Sequence, residues 1–270
     1  VRLRSVAIAL GFCLGLGGSS PLLATGDVFA WKEGWTEVPQ WGGRLAYLDD
    51  RGDLRARLRS DPDGAWVVVA RDVASFQLLD WSLAVLDRQG TLLTAEGALD
   101  APLTPVAQKV CAYQKTLTRL GILQCDGTLL VQETPRVPAR PVAAGVEAFQ
   151  LLEDRAAFRA TDGSLWLQEG GVVRNFRRIA DRVTSFQLER GWIGFLQDGA
   201  LMLAESLENG AALRPREVAR DVADFEMEIR VDAGDFRKTL RLAVLTREGV
   251  LKIASARGTP VELKEFDRGS

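Results

Sequence analysis

Histidine is missing from all 270 residues. That excludes Ser-His-Asp and Cys-His catalysis, His-ligated zinc and the usual proton shuttle of neutral pH. Cysteine is down to three, too few for a dense disulfide scaffold. Lysine is scarce too: the 34 basic residues are 28 Arg and 6 Lys, set against 36 acidic residues. A net charge of −2 gives no footprint for a phosphate backbone, so no nucleic-acid partner is expected. Long apolar runs are lacking as well. Val6–Leu16 falls short of the roughly 20 residues that span a bilayer, and no later run reaches that length. What is there is a globular composition of 47% hydrophobic and 26% charged residues, with 26 Gly and 10 Pro, neither disordered nor collagen-like.

The apolar run has the layout of an address. Arg2 and Arg4 precede it, Gly17 to Pro21 break it, and Leu22-Leu23-Ala24 ends on a small residue. This is the pattern of a secretory signal peptide over 1–24, leaving 25–270 as one mature domain, periplasmic or secreted. Without 1–24 the chain keeps 32 basic and 36 acidic residues, a net charge of −4. Cys13 leaves with the signal, and two thiols remain in an oxidising compartment. Val110–Gln114 and Leu120–Gln124 read as hairpin arms centred near Thr118, with Cys111 seven residues before it and Cys125 seven after. They would face each other across the ladder, and a Cys111–Cys125 disulfide is expected.

Internal repetition is the strongest signal. Val73–Gly90, VASFQLLDWSLAVLDRQG, matches Trp35–Gly52, WTEVPQWGGRLAYLDDRG, without a gap. The unit returns as VCAYQ…CDG, VEAFQLL…TDG, VTSFQLE…QDG and VADFEME…REG. Aromatic anchors recur at Phe76, Tyr113, Phe149, Phe186 and Phe225, with Val38 in the first place. Turn glycines recur at Gly52, Gly90, Gly127, Gly163, Gly199 and Gly249, spaced 38, 37, 36, 36 and 50 residues apart. Each of the six units divides into four short strands, a to d. Strand a carries the anchor, and strands b and c flank a tight Asp-Gly-type turn. Apolar residues of both parities in one strand, such as Phe76, Leu78 and Leu79, mean that both faces are buried. The fold class is therefore all-β, and six such units suit a six-bladed β-propeller. Asp27–Gly34 precedes the first unit as Ala65–Asp72 precedes the second. It is expected to act as an N-terminal strand d that closes the last blade, although Pro260–Phe266 has the same look.

The run Val142-Ala143-Ala144-Gly145-Val146…Phe149-Gln150-Leu151…Asp162-Gly163-Ser164-Leu165-Trp166 resembles the repeat of the RCC1-like propellers. The resemblance extends in weaker form over 35–256. It implies a propeller and, in an exported bacterial protein, protein binding. The units here are shorter, Phe or Tyr replaces the usual His, and the trailing Trp-Gly-x-Asn…Gly-Gln-Leu-Gly segment is absent. The nucleotide-exchange activity of the founding member is therefore not implied.

Repeated polar residues are the first candidates for a site. Gln77, Gln114, Gln150 and Gln187 follow the anchors, with Glu226 in the fifth place. They read as amides tying backbone groups between adjacent innermost strands, or as a ligand-binding collar around a channel. Asp80, Glu153, Asp154 and Glu189 fall in a–b loops and read as a solvated acidic rim. They keep a carboxylate-only hydrolase open without singling out a catalytic residue. Asp61-Pro62-Asp63-Gly64 lacks the remaining ligands of a calcium loop and reads as a turn, so neither metal nor cofactor is expected.

Loop length is the informative asymmetry. Phe225 to Gly249 spans 24 residues where the other intervals are 13 or 14. The excess falls at Val231–Thr239, where Phe236 lies among Asp232, Asp235, Arg237 and Lys238. An apolar side chain ringed by charge on a loop is a partner-binding candidate, and so is Trp81 in the a–b loop of unit two. The alternative is a longer hairpin without such a role. The function expected is a protein-interaction scaffold working through its a–b/c–d end on an envelope or extracellular protein. The alternative is a glycan-binding propeller.

Overall fold

The computed structural model describes residues 44–58, 61, 63–79, 82–97, 101–170, 175–205, 213–231, 238–256, 261 and 263–265. Among them there is no helix, so none is long and apolar enough to cross a membrane. The strands form six antiparallel sheets, each from one contiguous stretch of chain. Blade one is β1 (Arg44–Leu48), β2 (Leu54–Leu58) and β3 (Val67–Ala70). Blade two is β4 (Val73–Leu79), β5 (Ser82–Asp87), β6 (Leu92–Glu96) and β7 (Thr104–Ala107). Blade three is β8 (Val110–Lys115), β9 (Leu120–Gln124), β10 (Leu129–Gln132) and β11 (Arg140–Ala143). Blade four is β12 (Val146–Leu151), β13 (Arg155–Ala160), β14 (Leu165–Glu169) and β15 (Arg177–Ala180). Blade five is β16 (Val183–Glu189), β17 (Trp192–Gln197), β18 (Ala200–Glu205) and β19 (Arg216–Ala219). Blade six is β20 (Val222–Val231), β21 (Lys238–Thr246), β22 (Leu251–Ala256) and β23 (Lys264–Glu265). This is the all-β, six-unit architecture read from the repeat, with strands a to d in chain order.

Local chemistry fixes the ends of each blade. The b–c turns need a left-handed residue, which glycine supplies without a Cβ penalty, as at Gly90 with φ 81°. The same glycines join blades. Val73 N–H donates to Gly52 O at 2.9 Å, Val110 to Gly90 at 2.9 Å and Val183 to Gly163 at 2.8 Å. Strand a thus starts beside the b–c turn of the preceding blade, which places every a–b and c–d loop at the opposite end.

Blades stack face to face through one recurring contact. Strand b has a small residue at the same place in all six units: Ala46, Ala84, Gly121, Ala157, Gly194 and Ala243. The aromatic anchor of the next blade uses that room. A Cβ on Gly121 would meet the Phe149 ring inside van der Waals contact. One on Gly194 would lie 2.7 Å from Met227 Sδ and 2.9 Å from the Phe225 ring. Leu54, Leu92, Leu129, Leu165 and Leu201, each two residues past a turn glycine, are at most 1% exposed. Apolar clusters of this kind join blades one to two, two to three, three to four, four to five and five to six.

Two further expectations meet the structure here. Cys111 and Cys125 are disulfide-bonded with Cα atoms 5.0 Å apart. Cys111 is the extra residue of a bulge between Val110 and Ala112, which lets it face the turn beyond Gln124. In blade six the fourth place is taken by β23, paired through Lys252 with Glu265 and Ile253 with Lys264. That strand comes from the C-terminal candidate, Pro260–Phe266. The N-terminal candidate, Asp27–Gly34, and the signal segment 1–24 lie outside the described residues.

Gly121→Ala is expected to destabilise the fold by about 1–3 kcal/mol through overpacking against Phe149. The urea midpoint of the variant checks it, with a loss of midpoint expected at unchanged slope.

Candidate functional site

The a–b/c–d end is built on polar positions that recur with the units. Six residues after the turn glycine stand Glu96, Glu133, Glu169 and Glu205, and eight before it stand Arg44, Arg119, Arg155 and Arg241. Antiparallel pairing sets these two positions opposite each other, as in Arg155 with Glu169 and Ser82 with Glu96. Arg119 Nε lies 3.0 Å from Glu133 Oε2, and its Nη1 donates to Leu152 O of the next blade at 3.3 Å. Lys115, where units two, four, five and six have Leu or Met, brings Nζ to 3.4 Å from Glu96 Oε1 of blade two. Arg155 forks onto Asp154, with Nη2 at 2.9 Å and Nε at 3.2 Å. The side chains of Lys115, Arg119 and Arg155 are only 1%, 2% and 8% exposed. A cation so buried is tolerable only when paired, so these groups plug the blades and are not free for a ligand.

The a–b loops are tied to one another as well. Glu153 of blade four accepts from Thr118 Oγ1 at 2.5 Å and from Thr118 N–H at 3.3 Å, in blade three. Burial pushes the Glu153 carboxyl up, but the bonds from Thr118 and Thr116 and from the backbone of Leu117 and Thr118 outweigh it and hold it low. Asp154 follows the same balance: burial raises it, and Arg155 more than offsets that. Glu153 is thus a tie between loops, whereas Asp154, although paired with Arg155, keeps its side chain 52% exposed, as a solvated rim requires. Beside them, Leu117 stands 64% exposed at the tip of the blade-three a–b loop. The sequence reading passed over it because it took that segment as the bare centre of a hairpin. A leucine between two threonines in a turn was the available signal.

The glutamines bridge the inner strands. Gln77 Oε1 accepts from Lys115 N–H at 2.6 Å and Gln114 Oε1 from Leu151 N–H at 2.8 Å. Gln150 Oε1 accepts from Leu188 N–H. Gln187 makes both bonds, accepting from Met227 N–H and donating to Met227 O, each at 2.7 Å. Each a strand is thereby fastened to the a strand of the next blade, from blade two through blade six. The structural reading of these amides is the one observed.

The expected partner-binding residues Trp81, Asp232, Asp235, Phe236 and Arg237 lie outside the described residues. Lys238 is placed by its backbone, opposite Val231 in the last pair of the blade-six hairpin. That hairpin runs past the length of its neighbours. Blade five ends at Glu189 opposite Trp192, whereas blade six continues through Ile229–Leu240, Arg230–Thr239 and Val231–Lys238. Among the described residues no three His, Cys, Asp or Glu come together in a way that could hold a metal ion.

No family model matches this chain, and no curated protein does. Solved structures do. Kluyveromyces lactis Hsv2 is similar with a TM-score of 0.54 at 12% identity, over 86% of this chain and 87% of that one. The computationally designed Ika8 protein is similar at 0.50 and 13%, over 80% of this chain and 68% of that one. Prp20p of Saccharomyces cerevisiae, the yeast RCC1, is similar at 0.48 and 13%, over 83% and 71%. At these identities the likeness is one of fold alone, an all-β propeller architecture.

Gln77→Leu is expected to cost about 1–3 kcal/mol, because the buried Lys115 N–H loses its acceptor; chemical denaturation measures it. Glu153 gives a pH test. Its folded pKa is below the ordinary value of 4.5, so its stabilising contribution is present above that value and is lost as pH falls. Glu153→Gln should flatten the acid limb of stability between about pH 5 and pH 3, read from urea midpoints across that range.

Proposed function

We propose that this chain is an exported propeller scaffold, periplasmic or secreted, that binds a protein partner through its a–b/c–d end. The observation that carries the reading is the blade-six hairpin. Its stem is strand-paired up to Val231 and Lys238, beyond where the blade-five hairpin stops. A strand-paired stem lowers the entropic cost of binding through the residues it connects, 232–237. Phe236 would be its apolar anchor, with Asp232, Asp235, Arg237 and Lys238 as the charged surround. Trp81 and Leu117 belong to a–b loops at the same end. The signal-like pattern of 1–24 supports the export part of this reading.

The glycan-binding alternative calls for the same ligand groups at each blade. Here the buried cations of that end are each engaged with a carboxylate, Lys115 with Glu96, Arg119 with Glu133 and Arg155 with Asp154. What differs between blades is the loops, which favours one asymmetric partner surface.

Replacing 232–237 by Asn-Gly gives the hairpin a two-residue turn compatible with its twist. The variant is expected to keep the thermal midpoint of the parent. It should lose at least tenfold in affinity for the protein that cross-links through position 236 in the cell envelope. Unchanged affinity removes the arm from the site. Retention on surface polysaccharide with no protein product turns the reading towards the glycan.

A further inference from the structure

In blades two to five the exposed large apolar side chains among the described residues are Leu117, at 64%, and Val137, at 36%. Both stand in blade three at the a–b/c–d end, Leu117 between β8 and β9 and Val137 between β10 and β11. One exposed apolar side chain on a surface is ordinary. These two are set apart by how firmly the backbone beneath each is held.

Thr116 and Arg119 close the turn under Leu117. Thr116 N–H donates to Arg119 O at 2.8 Å, and Arg119 N–H donates to Thr116 Oγ1 at 3.0 Å. Thr118, the next residue, is tied to Glu153 of blade four. In the other loop Val137 N–H donates to Thr134 O at 3.1 Å, and Val137 O accepts from Gln132 Nε2 at 2.9 Å. Pro135 and Pro138 fix φ on either side of Arg136-Val137. The Arg119–Glu133 pair clasps the two loops, two residues from Leu117 and four from Val137. The same blade holds the Cys111–Cys125 disulfide at its other end. The backbone around both apolar side chains is therefore ordered in advance, and association has little left to fix beyond their own rotamers.

The charge around them is one-sided. Glu96, Glu133 and Glu153, the carboxylates that touch blade three at this end, are engaged with Lys115, Arg119 and Thr118. Arg136 and Arg140 bracket Val137 in the sequence, are exposed, and have no hydrogen bond or ion pair among the described residues. The free charge beside the apolar pair is thus cationic. We propose that Leu117 and Val137 form a preorganised docking patch for a protein segment that offers large apolar side chains next to Asp or Glu. The leucine and valine cover the apolar side chains of that segment. Arg136 and Arg140 take its carboxylates, which the planar guanidinium fork suits. The inference rests on the protein-binding reading of this end and adds the chemistry of the partner. It does not need the blade-six hairpin, which belongs to another blade.

The test is selection from a random phage-displayed peptide library on the immobilised full chain. The expected peptides carry Leu, Phe or Trp adjacent to Asp or Glu. Their binding should weaken about tenfold or more in Leu117→Ser and in Arg136→Glu. It should be unchanged when 232–237 is replaced by Asn-Gly. Both substituted positions are exposed, so the urea midpoint should stay that of the parent, which separates lost binding from lost fold. Val137→Ser gives a second reading if Leu117→Ser shifts the midpoint. Basic peptides, or peptides insensitive to Leu117→Ser, overturn the patch. Peptides lost only with 232–237 overturn it as well, while sparing the protein-binding reading of this end. An empty selection also overturns it, and the cross-link through position 236 then judges the hairpin separately.

Discussion

The bond between neighbouring inner strands is the constraint on which the rest of this molecule depends. An inner strand has one sheet neighbour, so the N–H and C=O groups on its other side have no ladder to join. The glutamine after the aromatic anchor resolves this across the blade boundary: Gln77, Gln114, Gln150 and Gln187 reach the backbone of the following strand a. An unmet buried N–H is more costly than the bond is favourable, which makes this position intolerant of apolar replacement. The aromatic anchor beside it can approach only because the facing position of strand b is Ala or Gly. Amide and small residue together set how close two blades come.

The loop end follows from that spacing. Blades held this closely bury the cations Lys115, Arg119 and Arg155. These must therefore find carboxylates, and the recurring glutamates and Asp154 supply them. The a–b loops, tied by Glu153 to Thr118, cap these pairs. The same end carries the long blade-six hairpin, whose stem is paired as far as Val231 and Lys238.

Much of this was legible in the residues. The turn glycines and aromatic anchors gave six units, the four strands of blades two to six and the order of the ends, since both recur at fixed offsets. The Cys111–Cys125 pairing followed from symmetric distances about a turn, and the amide role of the glutamines from their place next to the anchors. The cation–carboxylate pairs were not legible. Apart from the adjacent Asp154 and Arg155, the partners are far apart in sequence, fourteen residues in Arg119–Glu133 and nineteen in Lys115–Glu96, and Lys115 occupies a place that is apolar in units two, four, five and six. The small residues of strand b were hidden inside apolar runs, where Ala and Gly look like filler. Their meaning emerges only once the next blade is set against them. Leu117 escaped because exposure is not written in a turn sequence. Trp81 and 232–237 remain readings of the sequence, chosen for loop position and composition.

The blade junction also bears on descent. The four boundaries from blade two to blade six are made from the same parts: turn glycine, small residue, anchor, amide and leucine. Any blade could therefore follow any other, and no single junction records how many there are. Duplication or loss of one unit of 36 to 38 residues would leave every surviving contact with a matching counterpart. Loop ends escape that rule, because nothing at a boundary copies them. They can diverge one blade at a time while the frame stays interchangeable, so a new binding surface can arise by changing a single hairpin.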